Sequence, residues 1–220
     1  MSGIEHPNSA ASQESIDRSC RVPVLALIVS GLVWLALSGV TGILASIREH
    51  GAPVFANCPH MTYGHLISVR DATFGFGFAG NVGMGIGLWI LSRVRGTELR
   101  GAGAIIVGLV LWNTGLKLGL WRILNGAGSG LEGFELPGQV YPVLLIGFGL
   151  VLLAGVLTYF SRKQDELHPS LWYLLAAALV FPWVMITEYQ LLLSEPVRGV
   201  AQVAIHGWAL STLQWDCMAM

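Results

Sequence analysis

The sequence predicts an all-α fold, a polytopic transmembrane helical bundle of about six spans. Its 220 residues are 54% hydrophobic and only 11% charged, whereas soluble domains contain about 25% charged residues. The stretch from Ala72 to Leu91 carries no charge and is long enough to cross a hydrocarbon core of about 30 Å. Glycine recurs along it, at Gly75, Gly77, Gly80, Gly83, Gly85 and Gly87. Because small residues let helices approach closely in a bilayer, we expect this helix to be central in the bundle.

Composition also limits the kinds of partner and site. The formal net charge of −1 gives no indication of a nucleic-acid partner. The three cysteines are Cys20, Cys58 and Cys217, and their odd number and wide spacing predict no disulfide framework. Cys58-Pro59-His60 offers one thiol and one imidazole, which is too few for a zinc site, so no metal site is predicted.

Taken in order, the chain divides into a tail and a membrane domain. Residues 1–21 are polar and of mixed charge, without the basic start and short apolar core of a signal peptide. We predict that they form a disordered cytoplasmic tail and that residues 22–220 form the transmembrane bundle. The six spans are predicted over residues 22–47, 61–94, 101–124, 140–160, 171–193 and 199–220. Charged residues close spans one, two and four, and Pro182 predicts a kink in span five.

The charges of the connections predict the orientation. With the N-terminus inside, the inner segments hold Arg18, Arg21, Arg93, Arg95, Arg100, Arg162 and Lys163. The outer segments then hold only two arginines, Arg48 and Arg198. The positive-inside rule therefore favours a cytoplasmic N-terminus, in a bacterial inner membrane.

Ionisable residues within or beside the spans are costly and usually face a partner or a cavity. They are Arg70, Asp71, Lys117, Arg122, Glu188 and Asp216. One interpretation is an anion site built by Arg70, Lys117 and Arg122 towards the outer face. The alternative is that Lys117 and Arg122 extend to the membrane surface while Arg70 pairs with Asp71 or Glu188.

Five short motifs occur in order along the spans. The first, Met61-Thr62-Tyr63-Gly64, precedes the glycine-rich span. The others are Trp112-Asn113-Thr114-Gly115 with Leu118-Gly119, Glu135-Leu136-Pro137 before Tyr141-Pro142, Phe181-Pro182-Trp183, and Val197-Arg198-Gly199-Val200 with Gln202 and Trp208. Together they resemble the starts and cores of helices two to six of heme-copper oxidase subunit I, in its C-type branch. The resemblance runs from about residue 22 to residue 215 and covers only the N-terminal half of that family's fold.

The resemblance implies a cytochrome c oxidase subunit I-like membrane protein of a respiratory terminal oxidase. Family members reduce oxygen with electrons from cytochrome c and bind heme and copper. In the family pattern T-[FY]-G-R-x-R-P-x-H the last histidine binds the low-spin heme, and Arg70 stands at that position in this chain. The first copper histidine of helix six corresponds to about Ser211. No metal ligand of the family is therefore matched, and we assign no catalytic residue; copper is not expected.

Two histidines lie five residues before the matched ligand positions, namely His65 and His206. Five residues along a helix give about 7.5 Å of rise and about 140° of rotation, so either could replace a ligand only if its helix shifted. The alternative is that His65 forms hydrogen bonds at the interface and His206 packs against a polar neighbour. Because Arg70 stands at the ligand position itself, the cofactor-binding candidates are His65 and Arg70.

Two interpretations of function remain. The chain is either a subunit I-type fragment, an enzyme component that needs more than this chain for catalysis, or a degenerate non-catalytic scaffold or assembly subunit. The sixth span reaches Met220 without a closing loop, so we expect a truncation relative to the family. The expected partners are the lipid bilayer, other oxidase subunits, a C-terminal fragment and a cytochrome c.

Overall fold

The computed structural model describes residues 7–51, 57–161 and 169–219, and these residues form helices joined by short connections. The α-helices are α1 Pro7–Glu49, α2 Tyr63–Ala72, α3 Gly80–Arg95, α4 Ala102–Leu124, α5 Tyr141–Phe160, α6 Pro169–Glu188 and α7 Val200–Ala219. Two π-helical segments, Thr73–Ala79 and Tyr189–Ser194, continue α2 and α6, and a 3₁₀ turn, Gly138–Val140, precedes α5. The predicted all-α bundle is confirmed.

Five stretches of the described chain are long and apolar enough to cross a membrane. They are Gln13–Glu49, Tyr63–Arg95, Ala102–Leu124, Gly138–Phe160 and Leu171–Ser194. They coincide with the first five predicted spans. The sixth prediction corresponds to α7, which has 20 residues but is interrupted by Gln202, His206 and Gln214 and is not among these five.

Successive spans run in opposite directions, so their connections gather at two ends of the bundle. The proximal end, near the N-terminus, holds residues 96–101; there the Ser19 hydroxyl accepts from Leu99 N, and the Thr158 hydroxyl accepts from Arg100 N. The distal end holds residues 57–62, 125–137 and 195–199.

The predicted disordered tail, residues 1–21, is wrong for residues 7–21, which are the first part of α1. Residues 1–6 lie outside the described chain. This polar stretch gains partners from distant sequence, because Asp17 pairs with Arg93 at 2.6 Å and Ser19 binds the backbone of Leu99 at 2.9 Å. Such contacts stabilise a helix that composition alone does not favour.

The glycine-rich helix is packed on several sides, as the sequence predicts. A Cβ atom added at Gly77 would lie 2.7 Å from Trp34 on α1, and one at Gly80 would lie 2.9 Å from Trp112 on α4. Any larger residue would displace an indole ring at either position. Glycine therefore permits both close approaches.

A partly buried hydrogen-bond network, which we call the central network, joins the middle of α1 and the middle of α4 to the start of α3. Asn113 is its hub: its carbonyl oxygen accepts from the Ser30 hydroxyl at 2.9 Å and from the Trp34 indole. Its amide donates to Leu109 O at 2.8 Å and to the side chain of Asn81 at 3.4 Å. Because no water competes in a bilayer, this network fixes the relative register of three helices.

The π-helical segment Thr73–Ala79 widens the central helix and leaves backbone carbonyls available to side chains. The Trp112 indole donates to Phe76 O at 2.9 Å, and the Asn81 amide donates to Gly77 O at 2.7 Å. Both donors are fully buried. The carbonyl oxygens of Phe76 and Gly77 thus gain hydrogen bonds from the neighbouring α4 and from the following turn of helix.

Candidate functional site

Arg70, the first candidate from the sequence, forms an ion pair with its neighbour. Its Nη2 lies 2.6 Å and its Nε 2.7 Å from Asp71 Oδ1. The pair is partly exposed, at 43% for the arginine side chain and 35% for the aspartate. The stem of Arg70 packs against Gly42 of α1. The predicted pairing with Asp71 is therefore confirmed, and the alternative pairing with Glu188 is wrong.

The other two cations of the predicted anion site are exposed. Lys117 and Arg122 lie on the same exposed side of α4 as Leu118 and Trp121, so their charges can extend along an apolar surface. Neither has a hydrogen-bond or ion-pair partner in the described part of the chain. With Arg70 already paired, the three cations do not form a built anion site. Asp216 lies outside the residues whose side chains are described.

His65, the second candidate, lies on the distal surface. Its Nδ1 is 3.3 Å from the carbonyl oxygen of His60, and the Nδ1 of His60 is 2.9 Å from the carbonyl oxygen of Leu124. The two histidines thus link the connection before α2 to the end of α4. The hydrogen bond predicted for His65 is confirmed.

The residues that the structure does bring together at the distal end are Glu135, Tyr141, Glu188 and His206, which we call the distal cluster. Glu188, at the end of α6, has no exposed surface. Its Oε1 lies 3.3 Å from Nδ1 of His206 on α7, while its Oε2 has no hydrogen-bond partner in the described chain. The prediction that His206 packs against a polar neighbour is confirmed, and that neighbour is Glu188.

Glu135 reaches the cluster from the connection between α4 and α5. Its Oε1 accepts from Gly133 N at 2.7 Å, and its Oε2 has no partner among the described residues. The loop holds this geometry itself, since Ser129 N donates to Glu135 O at 3.1 Å and the Ser129 hydroxyl donates to Phe134 O at 2.5 Å. Glu135 is only 6% exposed. Because Glu135 is buried between Phe134 and Leu136, its side chain has little freedom to turn towards water.

Burial raises the pKa of Glu135 from 4.5 to about 7. The backbone N–H groups of Glu135 and Gly133 oppose this rise, and the carboxylates of Asp71 and Glu132 add to it. Desolvation dominates because a charge in an apolar loop loses its hydration. The carboxyl of Glu135 can therefore gain or lose a proton close to neutral pH.

Phe134 and Tyr141 connect the two carboxyl groups. The fully buried Tyr141 hydroxyl donates to Phe134 O at 3.4 Å, and the ring of Phe134 meets the ring of His206 edge-on at 6.1 Å between centroids. Tyr141 also stacks on Tyr189, the residue after Glu188, at 6.3 Å. Both carboxyl groups lie within electrostatic range of Tyr141. The cluster therefore offers two acceptor oxygens, a hydroxyl and an imidazole inside an aromatic shell.

These groups do not form a metal site. No set of three or more His, Cys, Asp or Glu side chains in the described chain is close enough to hold a metal ion. The chemistry that the distal cluster supports is instead proton exchange at a carboxyl group and hydrogen bonding to its unpaired oxygens.

Arg70, at the position of the family's heme histidine, does not fit the low-spin heme that the resemblance implies. Guanidinium has no lone pair for iron, and Arg70 is occupied by Asp71. The polar contacts of His65 with His60 O and of His206 with Glu188 use Nδ1, so they orient the rings and leave Nε2 able to bind a metal. No step of any reaction is therefore assigned to heme in this chain.

Sequence reasoning did not find the distal cluster. From the sequence, Glu135 was noted in the motif Glu135-Leu136-Pro137 and not as a buried carboxyl group, although its neighbours in Phe134-Glu135-Leu136-Pro137 are apolar. That local pattern is the signal of a buried carboxyl group. The approach of Glu188 to His206, 18 residues apart, depends on how α6 and α7 pack and has no local signal.

Comparison with models of protein families gives no match, and comparison with curated proteins gives no significant relative.

Proposed function

We propose that this chain is a membrane subunit of the heme-copper oxidase type, similar to the N-terminal half of cytochrome c oxidase subunit I. It supports a respiratory terminal oxidase and binds no low-spin heme by itself. The five motifs that resemble subunit I, in their order along successive helices, support the family assignment. The ion pair of Arg70 with Asp71, at the position of the family's heme histidine, supports the non-catalytic role and carries the proposal.

The first test is co-purification. A chain tagged at its N-terminus is extracted from its host membrane in mild detergent, and the eluate is analysed for heme and for cytochrome c oxidation by oxygen. We expect heme-bearing oxidase subunits to elute with the tag, together with oxidase activity. A membrane protein of similar size with the same tag is the control. Elution of the chain without any heme-bearing partner would contradict the scaffold role.

The second test measures heme on the chain alone. A pyridine-hemochrome assay of the purified chain is expected to give far less than one heme per chain, because Arg70 cannot replace the histidine. A stoichiometric heme would contradict the proposal. In that case the heme content of the His65→Ala and His206→Ala variants would show which histidine binds the iron. His50→Ala, which removes a histidine from the same distal end, is the control.

The enzyme-fragment interpretation requires that residues other than these 220 supply the later histidines. A histidine-bearing fragment encoded downstream, or one that elutes with the tagged chain, would favour it over the scaffold. The two interpretations are distinguished by oxidase activity. The fragment pair restores cytochrome c oxidation, whereas a scaffold leaves activity in another, complete subunit.

We also propose that the chain lies in a bacterial inner membrane with its N-terminus in the cytoplasm, as the loop arginines indicate. Single cysteines are introduced into a cysteine-free chain at two exposed positions, Glu98 on the proximal end and Glu132 on the distal end. An impermeant thiol reagent added outside should label the position-132 variant alone. Labelling of the position-98 variant alone would reverse the orientation.

A further inference from the structure

The proximal end carries an open groove between α1 and α3, apart from the distal cluster. The polar start of α1 lies beside the end of α3, where Arg93 Nη2 is 2.6 Å from Asp17 Oδ2. The Trp89 indole donates to the other oxygen of Asp17 at 3.4 Å. The groove beside this contact has a volume of about 480 Å³. Its walls are therefore fixed by an ion pair and a hydrogen bond between the two helices.

The groove is positively charged where it leaves the membrane. Three arginines line it, Arg18, Arg21 and Arg93, against two carboxylates, Glu14 and Asp17. Arg93 neutralises Asp17. Arg18 and Arg21 are exposed and have no hydrogen-bond or ion-pair partner among the described residues. Because they are three residues apart on one helix, their side chains share a face.

The part of the groove nearer the membrane centre is apolar. Val24 and Leu25 line it from α1, and Trp89 lines it from α3. Leu25 is 50% exposed and Trp89 is 42% exposed, so apolar surface is available for contact. Tryptophan at this depth is typical of the headgroup boundary of a bilayer. Cationic and apolar surfaces thus follow each other in the order of a phospholipid's headgroup and acyl chain.

We propose that this groove binds an anionic phospholipid, with its phosphate group at Arg18 and Arg21 and an acyl chain along Leu25 and Trp89. Basic pockets between transmembrane helices bind anionic headgroups, and guanidinium groups match the geometry of phosphate oxygens. The site is independent of heme, oxidase partners and the distal cluster.

The test compares lipids with matched acyl chains. The purified chain in a neutral detergent is mixed with phosphatidylglycerol, phosphatidylcholine or inorganic phosphate, and bound molecules are counted by native mass spectrometry. We expect phosphatidylglycerol to bind, phosphatidylcholine to bind much more weakly and free phosphate not to be retained. Each arginine removed should weaken phosphatidylglycerol binding by about fivefold, so the Arg18→Gln, Arg21→Gln double variant should lose most of it.

Two variants separate charge from folding. Arg100→Gln removes an exposed arginine of the same end that does not line the groove, and it should bind as the parent does. The Arg18→Lys, Arg21→Lys variant keeps both charges and should retain binding above that of the glutamine variant. Equal binding of the two lipids, or full binding by the glutamine variant, would overturn the proposal. Retention of free phosphate would assign the site to a soluble phosphate and overturn the lipid assignment.

Discussion

The central network and the distal cluster are both polar and at least partly buried, yet they differ in how completely their atoms are paired. In the central network, Asn113 uses its carbonyl oxygen and its amide for four hydrogen bonds to three helices. In the distal cluster, Oε2 of Glu135 and Oε2 of Glu188 have no partner in the described chain. Pairing of every group suits a structural role, whereas the unpaired carboxyl oxygens leave acceptors for water or a ligand.

The largest expected effect is on the central network. Asn113→Leu removes the partner of the Ser30 hydroxyl, the Trp34 indole and the side-chain oxygen of Asn81. We expect the free energy of unfolding in detergent to fall by about 3 kcal/mol, because each orphaned buried group costs about 1–3 kcal/mol. Denaturant unfolding followed by near-ultraviolet circular dichroism measures it. Thr114→Leu, at the next and exposed position, is the control and should change stability little. An equal loss in both variants would contradict the structural role of the network.

The next effect is the pH dependence that Glu135 imposes on stability. Its pKa is 4.5 when unfolded and about 7 when folded, so the folded state binds the proton more tightly. The contribution is fully present below pH 4.5 and is lost as the pH rises to about 7, by on the order of 1 kcal/mol for each pH unit between the two values.

Thermal unfolding at a series of pH values in detergent measures this slope. Glu135→Gln should flatten the curve between pH 4.5 and 7. Glu132→Gln, which removes an exposed carboxylate of the same loop, should leave most of the slope. A parent protein with no slope in this interval would indicate that Glu135 is hydrated and that the distal cluster is open to water.

A smaller effect concerns the contact between Glu188 and His206. His206→Leu leaves both oxygens of a fully buried carboxyl group without a partner, and we expect a loss of about 1–3 kcal/mol. Changing Glu188→Leu in the same chain should recover most of this loss, because replacing both partners by apolar groups is nearly neutral. A double variant less stable than the single one would indicate that Glu188 has a second partner.

The fold was largely predictable from the sequence because its signals are local. Apolar length predicted the first five spans, and the recurring glycines predicted a closely packed helix, which in the structure contacts Trp34 and Trp112. The helix over residues 7–21 was not predictable, because Asp17 gains its partner from Arg93, 76 residues away. The candidate site divides in the same way. Arg70 and Asp71 are adjacent in sequence, whereas Glu135, Glu188 and His206 meet only through helix packing.

The smallest expected effect is at the ion pair of Arg70 with Asp71. Both side chains are more than one third exposed, so water solvates whichever charge is left when the other is removed. Arg70→Leu should therefore change the free energy of unfolding by only about 0–1 kcal/mol. Lys117→Leu, a cation without a partner among the described residues, gives the reference for removing one exposed charge. Thermal unfolding in detergent at low and high salt measures both, and added salt should reduce the difference between them.

A loss of about 3–5 kcal/mol for Arg70→Leu, rescued by Glu188→Gln, is the result expected of a buried pair. That outcome would place Arg70 in the distal cluster. The ion pair of Arg70 with Asp71 would then no longer be a solvated contact that differs from the buried and incompletely paired carboxyl groups of the cluster.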